Sequence, residues 1–248
     1  IAVSMYEAEI NGEKIGKQMY APGYTYYPRR LLYQEHDITA MLQDGKNELK
    51  VYLGQGWYCG RFLCENKTQI YGLKPGVAWI IKLDYQDGNS EVIASDTTVE
   101  ELESPYEYAG EYDGEIYFAG KQDTVKGNAV SYLEIIPETL EKTLVEVQVH
   151  EEIPVKEVYV SNGSTILDFG QNFAGIVEID PQYIENGTLS IRHGEILNPD
   201  GSLYTNNLRK AKATICYHAG TEKKKYRPRF TYMGFRYVKV DADFELTA

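Results

Sequence analysis

Asp168-Phe169-Gly170-Gln171-Asn172-Phe173-Ala174-Gly175, running on into Ile176-Val177-Glu178-Ile179, is the stretch on which the fold turns. Apolar and polar residues alternate on either side of it, the period of a half-buried strand. Gly170 and Gly175 bracket the amide pair Gln171-Asn172, and glycine inside a strand pattern marks a bulge or a close approach of another segment. Two further pieces follow. Ile191-Arg192-His193-Gly194-Glu195-Ile196-Leu197 leads through Asn198-Pro199-Asp200-Gly201 to Asn206-Asn207-Leu208-Arg209. Pro228-Arg229-Phe230-Thr231-Tyr232-Met233-Gly234-Phe235-Arg236-Tyr237-Val238-Lys239-Val240 closes the set. Short alternating strands separated by Asp-Gly and Asn-Gly turns predict an antiparallel sandwich.

Upstream, Leu144-Val145-Glu146-Val147-Gln148-Val149 and Val155-Lys156-Glu157-Val158-Tyr159-Val160 alternate in the same way, the second turning at Asn162-Gly163. Residues 131–142 read as a traverse, which puts a boundary near Thr143. In the first half, Met5-Tyr6-Glu7-Ala8-Glu9-Ile10 runs to Asn11-Gly12, a hairpin signal. Asp37 to Gly45 predicts one short helix, with Asp37 as its cap and Gly45 as its exit. Val77-Ala78-Trp79-Ile80-Ile81-Lys82-Leu83 is almost wholly apolar, which places Trp79 in the core. The expected fold is all-β: two antiparallel, jelly-roll-like β-sandwich domains in tandem, residues 1–142 and 143–248, with one short helix.

Composition narrows the function. With 43% apolar residues over 248 positions the chain has enough hydrophobic mass for a folded core. Thirty-seven acids against 25 bases leave a formal charge of −12, which argues against nucleic acid as a partner and suits a neutral one such as a sugar. No apolar run is long enough to cross a bilayer as a helix, so no membrane partner is expected. Cys59, Cys64 and Cys216 match neither a redox pair nor a zinc quartet, and favour reduced thiols in a cytoplasmic setting.

The order and spacing of DFGQN, RHxE, DGxLY, NLR and PRFTYxGFRY resemble the β-domain that precedes the catalytic barrel in bacterial α-L-rhamnosidases of glycoside hydrolase family 78. The first half, with its Asn-Gly hairpin, Pro-Gly aromatic loop and Gly54-Gln55-Gly56-Trp57-Tyr58, resembles the N-terminal β-sandwich of the same enzymes. The resemblance implies an accessory region of an enzyme that hydrolyses terminal α-L-rhamnosides with inversion. The general acid and base would lie on an (α/α)6 barrel, expected to be absent here, so no catalytic residue is assigned and the chain is expected to be inactive alone. The missing barrel is itself an expected partner, as is a rhamnose-containing glycan or glycoside. A stand-alone carbohydrate-binding or adhesion protein is the rival reading. Some relatives carry a calcium-dependent rhamnose site in this region. Gln55 stands where many of them have an acid, and a neutral amide is a poorer ligand for a hard cation. Calcium is therefore the one candidate ion, and no metal site or cofactor is assigned.

Four aromatics are candidates for sugar contact: Tyr24 and Tyr26 beside the Pro22-Gly23 turn, and Trp57 and Tyr58 between Gly56 and Gly60. Aromatic faces pack against pyranose C–H groups; the competing reading has the same rings plugging the core. Glu111-Tyr112-Asp113-Gly114-Glu115-Ile116-Tyr117 resembles a family segment that wraps back on the first sandwich. Asp113 and Glu115, two carboxylates on its turn, do not make a catalytic pair without a cleft. His193 and Glu195 are expected to be structural, His193 bonding a backbone carbonyl and Glu195 pairing with Arg192, Arg209 or Arg236. Asp168, Asn172, Glu195, Arg209 and Arg236 are expected to form an interdomain polar cluster facing the barrel. Arg229 belongs to the same group of arginines set among aromatics, suited to stacking and bidentate pairing.

Overall fold

Asn11 and Gly12 both adopt left-handed backbone conformations, φ 52° and 81°, the geometry whose twist matches a two-residue hairpin. In the computed structural model, which describes residues 1–62, 67–131 and 137–244, this turn folds Met5–Ile10 onto Glu13–Lys14. Leu49–Gly54 pairs along the other side and completes a three-stranded antiparallel sheet. Asn162 and Gly163 repeat the device at φ 50° and 80°, joining Glu157–Ser161 to Ser164–Gly175.

The largest sheet has seven strands in the order Tyr106–Gly110, Gly114–Phe118, Thr214–His218, Thr188–Gly194, Met233–Ala242, Ser164–Gly175, Glu157–Ser161. Alternation works as the sequence suggests. Leu189, Ile191 and His193 point inward from one strand, Ile215 and Tyr217 from the next, and Met233 and Phe235 from a third, whose phase shifts to Val238 across the bulge. The bulge is where the glycines place it: pairing jumps from Asp168–Tyr237 to Phe173–Phe235, so residues 169–172 stand opposite Arg236 alone.

The halves interleave more than tandem sandwiches would. The hairpin of Tyr106–Gly110 and Gly114–Phe118 extends the sheet of the second half while packing on the first half through Ala109 and Asp113. Gly114–Phe118 runs parallel to Thr214–His218, within an otherwise antiparallel sheet. Gly114 makes this possible, because at φ 105° a Cβ would lie 1.9 Å from the Thr214 carbonyl oxygen. A second parallel pair joins Thr139–Lys142 to Arg30–Tyr33, tying the traverse to the first half. Ile135-Ile136 of that traverse and Cys64 lie outside the described residues.

Two local expectations need correction. The helix expected over residues 37–45 is a single 3-10 turn, Thr39–Met41. Asp37 spends its carboxylate on Thr39, accepting from the backbone N–H at 2.9 Å and the hydroxyl at 2.7 Å, and the chain is extended again at Leu42. Among the described residues the one α-helix is the single turn Gly56–Cys59, too short to leave a periodic signature. Trp79 is half-buried rather than core. Ile80–Asp84 pairs with Ser90–Ala94 alone, and a two-stranded ribbon leaves residues such as Ile80 and Val92 in solvent.

The main core gathers Ile191, Ile215, Tyr217, Phe235 and Val238 with Tyr117 of the inserted hairpin. A second cluster holds Met5, Tyr20 and Ala109 around Phe230, an aromatic supplied by the distant C-terminal motif. Gly54 leaves room for that ring, since a Cβ there would come within 2.4 Å of it. Tyr27, Leu31, Tyr58 and Cys59 form the third.

Candidate functional site

The one-turn helix Gly56–Cys59 sets neighbouring aromatics in opposite environments. Tyr58 is 1% exposed and edge-on to Tyr27, ring centroids 5.2 Å apart. Its ring has no face open to a ligand, so it leaves the set of sugar-contact candidates and takes the core-plug role. Trp57 is half-buried, 6.0 Å from the ring of Tyr24. Tyr24 and Tyr26 are 46% and 56% exposed, and both gather on Tyr71, a ring that sequence reasoning passed over. Tyr71 lies in a glycine- and proline-broken segment with no period to report its side. The hydroxyls of Tyr24 and Tyr71 are hydrogen-bonded at 2.8 Å.

Tyr24 and Trp57 also wall a groove of about 890 Å³ that runs between the two halves. Phe173 and Tyr232 face them from the second half, and residues 144–149 pass along it. Leu144 and Val145 are almost fully exposed there. Glu111 lies beside the donors Trp57 and Tyr232, one from each wall, and its Oε2 is buried without a hydrogen-bond partner. Burial lifts the Glu111 carboxyl to about 7, against the opposing pull of those two donors. Gln18 also lines the groove; it is 8% exposed, and its Oε1 has no hydrogen-bond partner. Neither Glu111 nor Gln18 carries a sequence signal, because each gains its role from chain that is distant in sequence.

The residues expected in a polar cluster fall into two groups. Asp168 takes a bidentate pair from Arg236, both bonds 2.8 Å, across the bulge. Arg236 thereby holds the Asp168 carboxyl below its usual range, helped by the Gly170 N–H. Separately, Glu195 accepts from Asn172 at 3.2 Å and from Asn207 at 2.9 Å. Arg209 follows Asn207 at the end of a 3-10 turn, in a left-handed conformation. All five candidates belong to the second half, and the Asp168–Arg236 pair joins neighbouring strands of one sheet. His193 behaves as expected: buried, with Nδ1 donating to the Ala213 carbonyl at 2.9 Å, its pKa lowered to about 4 by burial.

Arg229 makes the bridge between halves. Its guanidinium lies 4.0 Å from the centre of the Tyr52 ring and forms ion pairs with Glu7 at 2.6 Å and Glu9 at 2.7 Å. Glu115 works from the other side. Fully buried, it accepts the backbone N–H groups of Arg229 and Phe230 and the hydroxyl of Tyr226. Asp113 is paired with Arg61 at 2.5 Å. Both turn carboxylates are thus committed to structure. Among the described residues, no three His, Cys, Asp or Glu side chains are placed to hold a metal ion.

Residues 1–150 match the family described as the alpha-L-rhamnosidase N-terminal domain, and residues 158–246 match the bacterial alpha-L-rhamnosidase concanavalin-like domain. An alpha-L-rhamnosidase of Streptomyces avermitilis is 36% identical over 96% of this chain and 24% of its own length. One from Formosa agariphila is 29% identical over 96% of this chain and 27% of its own. The chain thus spans about a quarter of the length of the curated relatives it matches. Its fold superposes on the crystal structure of the Streptomyces avermitilis enzyme complexed with L-rhamnose with a TM-score of 0.88 at 33% identity, covering 96% of this chain and 24% of the other. The native Aspergillus terreus enzyme gives 0.86 at 31% identity, covering 97% and 29%.

Proposed function

Because this chain belongs to the bacterial α-L-rhamnosidase family, carrying its N-terminal and concanavalin-like domains, we propose that it is the accessory β-region of such an enzyme. In this reading it supports the hydrolytic machinery and holds rhamnose-bearing glycans through Tyr24, Tyr26 and Trp57. The observation that carries the reading is the pairing of both domain matches, in order, with exposed tyrosines clustered beside a half-buried tryptophan. Inverting hydrolysis needs an acid and a base on opposite sides of the bond, with room for water between them. Glu115 is sealed in the core and Asp113 is neutralised by Arg61, so neither is free to serve. We assign that chemistry to polypeptide outside residues 1–248.

The test is incubation of the purified 248-residue chain with 4-nitrophenyl α-L-rhamnopyranoside. The expected result is no 4-nitrophenol above the buffer rate. Sustained release, lost on substitution of a carboxylate within the chain, would replace this reading with that of an independent hydrolase.

A further inference from the structure

We propose that a small pocket on the seven-stranded sheet, on the face opposite its main core, binds a small hydroxycarboxylate of the sugar-acid kind, with Arg192 taking the carboxylate. The pocket shares no residue with the groove between the halves, so the inference stands apart from the glycan reading above.

The register of three strands builds its floor. Arg192 stands directly opposite Lys239 in the antiparallel pair of Thr188–Gly194 with Met233–Ala242, and Lys239 stands opposite Ile166 of Ser164–Gly175. Like charges in such positions destabilise a sheet unless counter-charges lie near. Lys239 has one in Asp241, at 2.7 Å. Arg192 has none: among the described residues its side chain makes no ion pair and no hydrogen bond. Its Nε is sealed from solvent, so the terminal Nη groups are the donors a ligand can reach. Among the described residues no carboxylate lines the pocket, in a chain whose formal charge is −12. A part-buried guanidinium without a counter-ion suits a carboxylate, which takes its planar fork bidentately. The charge selects a monoanion. A dianion would face Asp200 and Asp241, behind the serines of the pocket, with too little positive charge to answer it.

The hydroxyls define the rest of the ligand. Ser164 donates to Asp241 at 2.6 Å, Ser202 to Asp200 at 2.6 Å and Ser161 to the Asp200 backbone carbonyl at 3.3 Å. With their protons spent, these three oxygens have only acceptor capacity left for the pocket they line, which suits ligand hydroxyls. Thr205 also lines it, and among the described residues its hydroxyl has no hydrogen-bond partner, so it keeps a proton to donate. A molecule with one carboxylate and several hydroxyls uses all of these groups. At about 220 Å³ the space lies below the usual range for drug-sized ligands and limits the guest to roughly one sugar ring.

The experiment is calorimetric titration at low salt of the chain, and of its Arg192→Met and Thr205→Val variants, with sodium D-glucuronate, D-glucose and sodium sulfate. Glucose carries a hydroxymethyl group where glucuronate carries the carboxylate. The site requires that glucuronate bind, and that glucose and sulfate bind about tenfold more weakly or worse. It also requires that Arg192→Met weaken glucuronate by about tenfold or more, the worth of a charged hydrogen bond, and Thr205→Val by about threefold or more. Arg192→Met removes the like charge opposite Lys239, so its melting temperature should equal or exceed that of the parent, and loss of binding there reads the site rather than the fold. Unchanged glucuronate affinity in Arg192→Met, equal binding of glucose, or no binding by the parent chain would overturn the proposal. Sulfate bound as tightly as glucuronate would overturn it too, leaving an adventitious ion only.

Discussion

The guanidinium of Arg229 lies 4.0 Å from the centre of the Tyr52 ring, with Glu7 and Glu9 closing on it from the adjacent strand. Arginine stacked on an aromatic and paired with two carboxylates is strongly held only where water is largely excluded, and these side chains are 21% and 15% exposed. Arg229 joins the C-terminal motif to the first sheet of the chain.

Arg229→Ala should therefore cost roughly 3 kcal/mol, the low end of the range for orphaning a buried charge. Arg236→Ala should cost clearly less, since Arg236 is more exposed and pairs within its own sheet. Urea denaturation of the two variants beside the parent measures both. Equal losses would remove Arg229 from its special place.

Gly114 and Gly12 separate two kinds of glycine. Both sit at positive φ, yet a Cβ on Gly12 meets nothing within 4 Å, whereas on Gly114 it meets the Thr214 carbonyl. Gly12→Ala should cost about 1–2 kcal/mol, the conformational penalty alone. Gly114→Ala should cost more than about 4 kcal/mol, because the parallel strand pair must part. Thermal melts read the difference, and a mild effect at Gly114 would contradict the parallel pairing.

Burial lifts the carboxyls of Glu111 and Glu115 to about 7, against about 4.5 when unfolded. In that interval the folded chain binds the extra protons, so their contribution is full below pH 4.5 and is lost as pH rises through 7. His193 opposes them: its folded pKa is depressed to about 4, so its contribution is present above 6.5 and is lost as pH falls through 4. Glu111→Gln removes one carboxyl from the balance. Its melting temperature should gain on that of the parent as pH rises from 4.5 to 8. A difference that stays constant with pH would show that Glu111 titrates normally.

What was legible in the sequence was local. The two Asn-Gly turns need only neighbouring residues in left-handed conformations, and the bulge needs only Gly170 between alternating flanks. The inward positions at Leu189, Ile191, Ile215 and Tyr217 follow from a period of two. What was not legible depends on distance. Arg229 and Arg236 look alike in one short motif, and only the approach of Glu9, 220 positions away, tells the bridge from the cross-strand pair. The transfer of the Tyr106–Phe118 hairpin to the other sheet is a long-range choice of the same kind. At the candidate site, the Trp-Tyr pair was visible, but one turn of helix decides that Trp57 faces the groove and Tyr58 the core.

The claim at the centre is recognition of a rhamnoside without its cleavage, and proton NMR of methyl α-L-rhamnopyranoside mixed with the chain reads both together. Saturation of the protein's aromatic protons should transfer to the sugar, while the signals of free L-rhamnose stay absent through prolonged incubation. Free rhamnose accumulating in that tube, or sugar signals untouched by saturation, would contradict it.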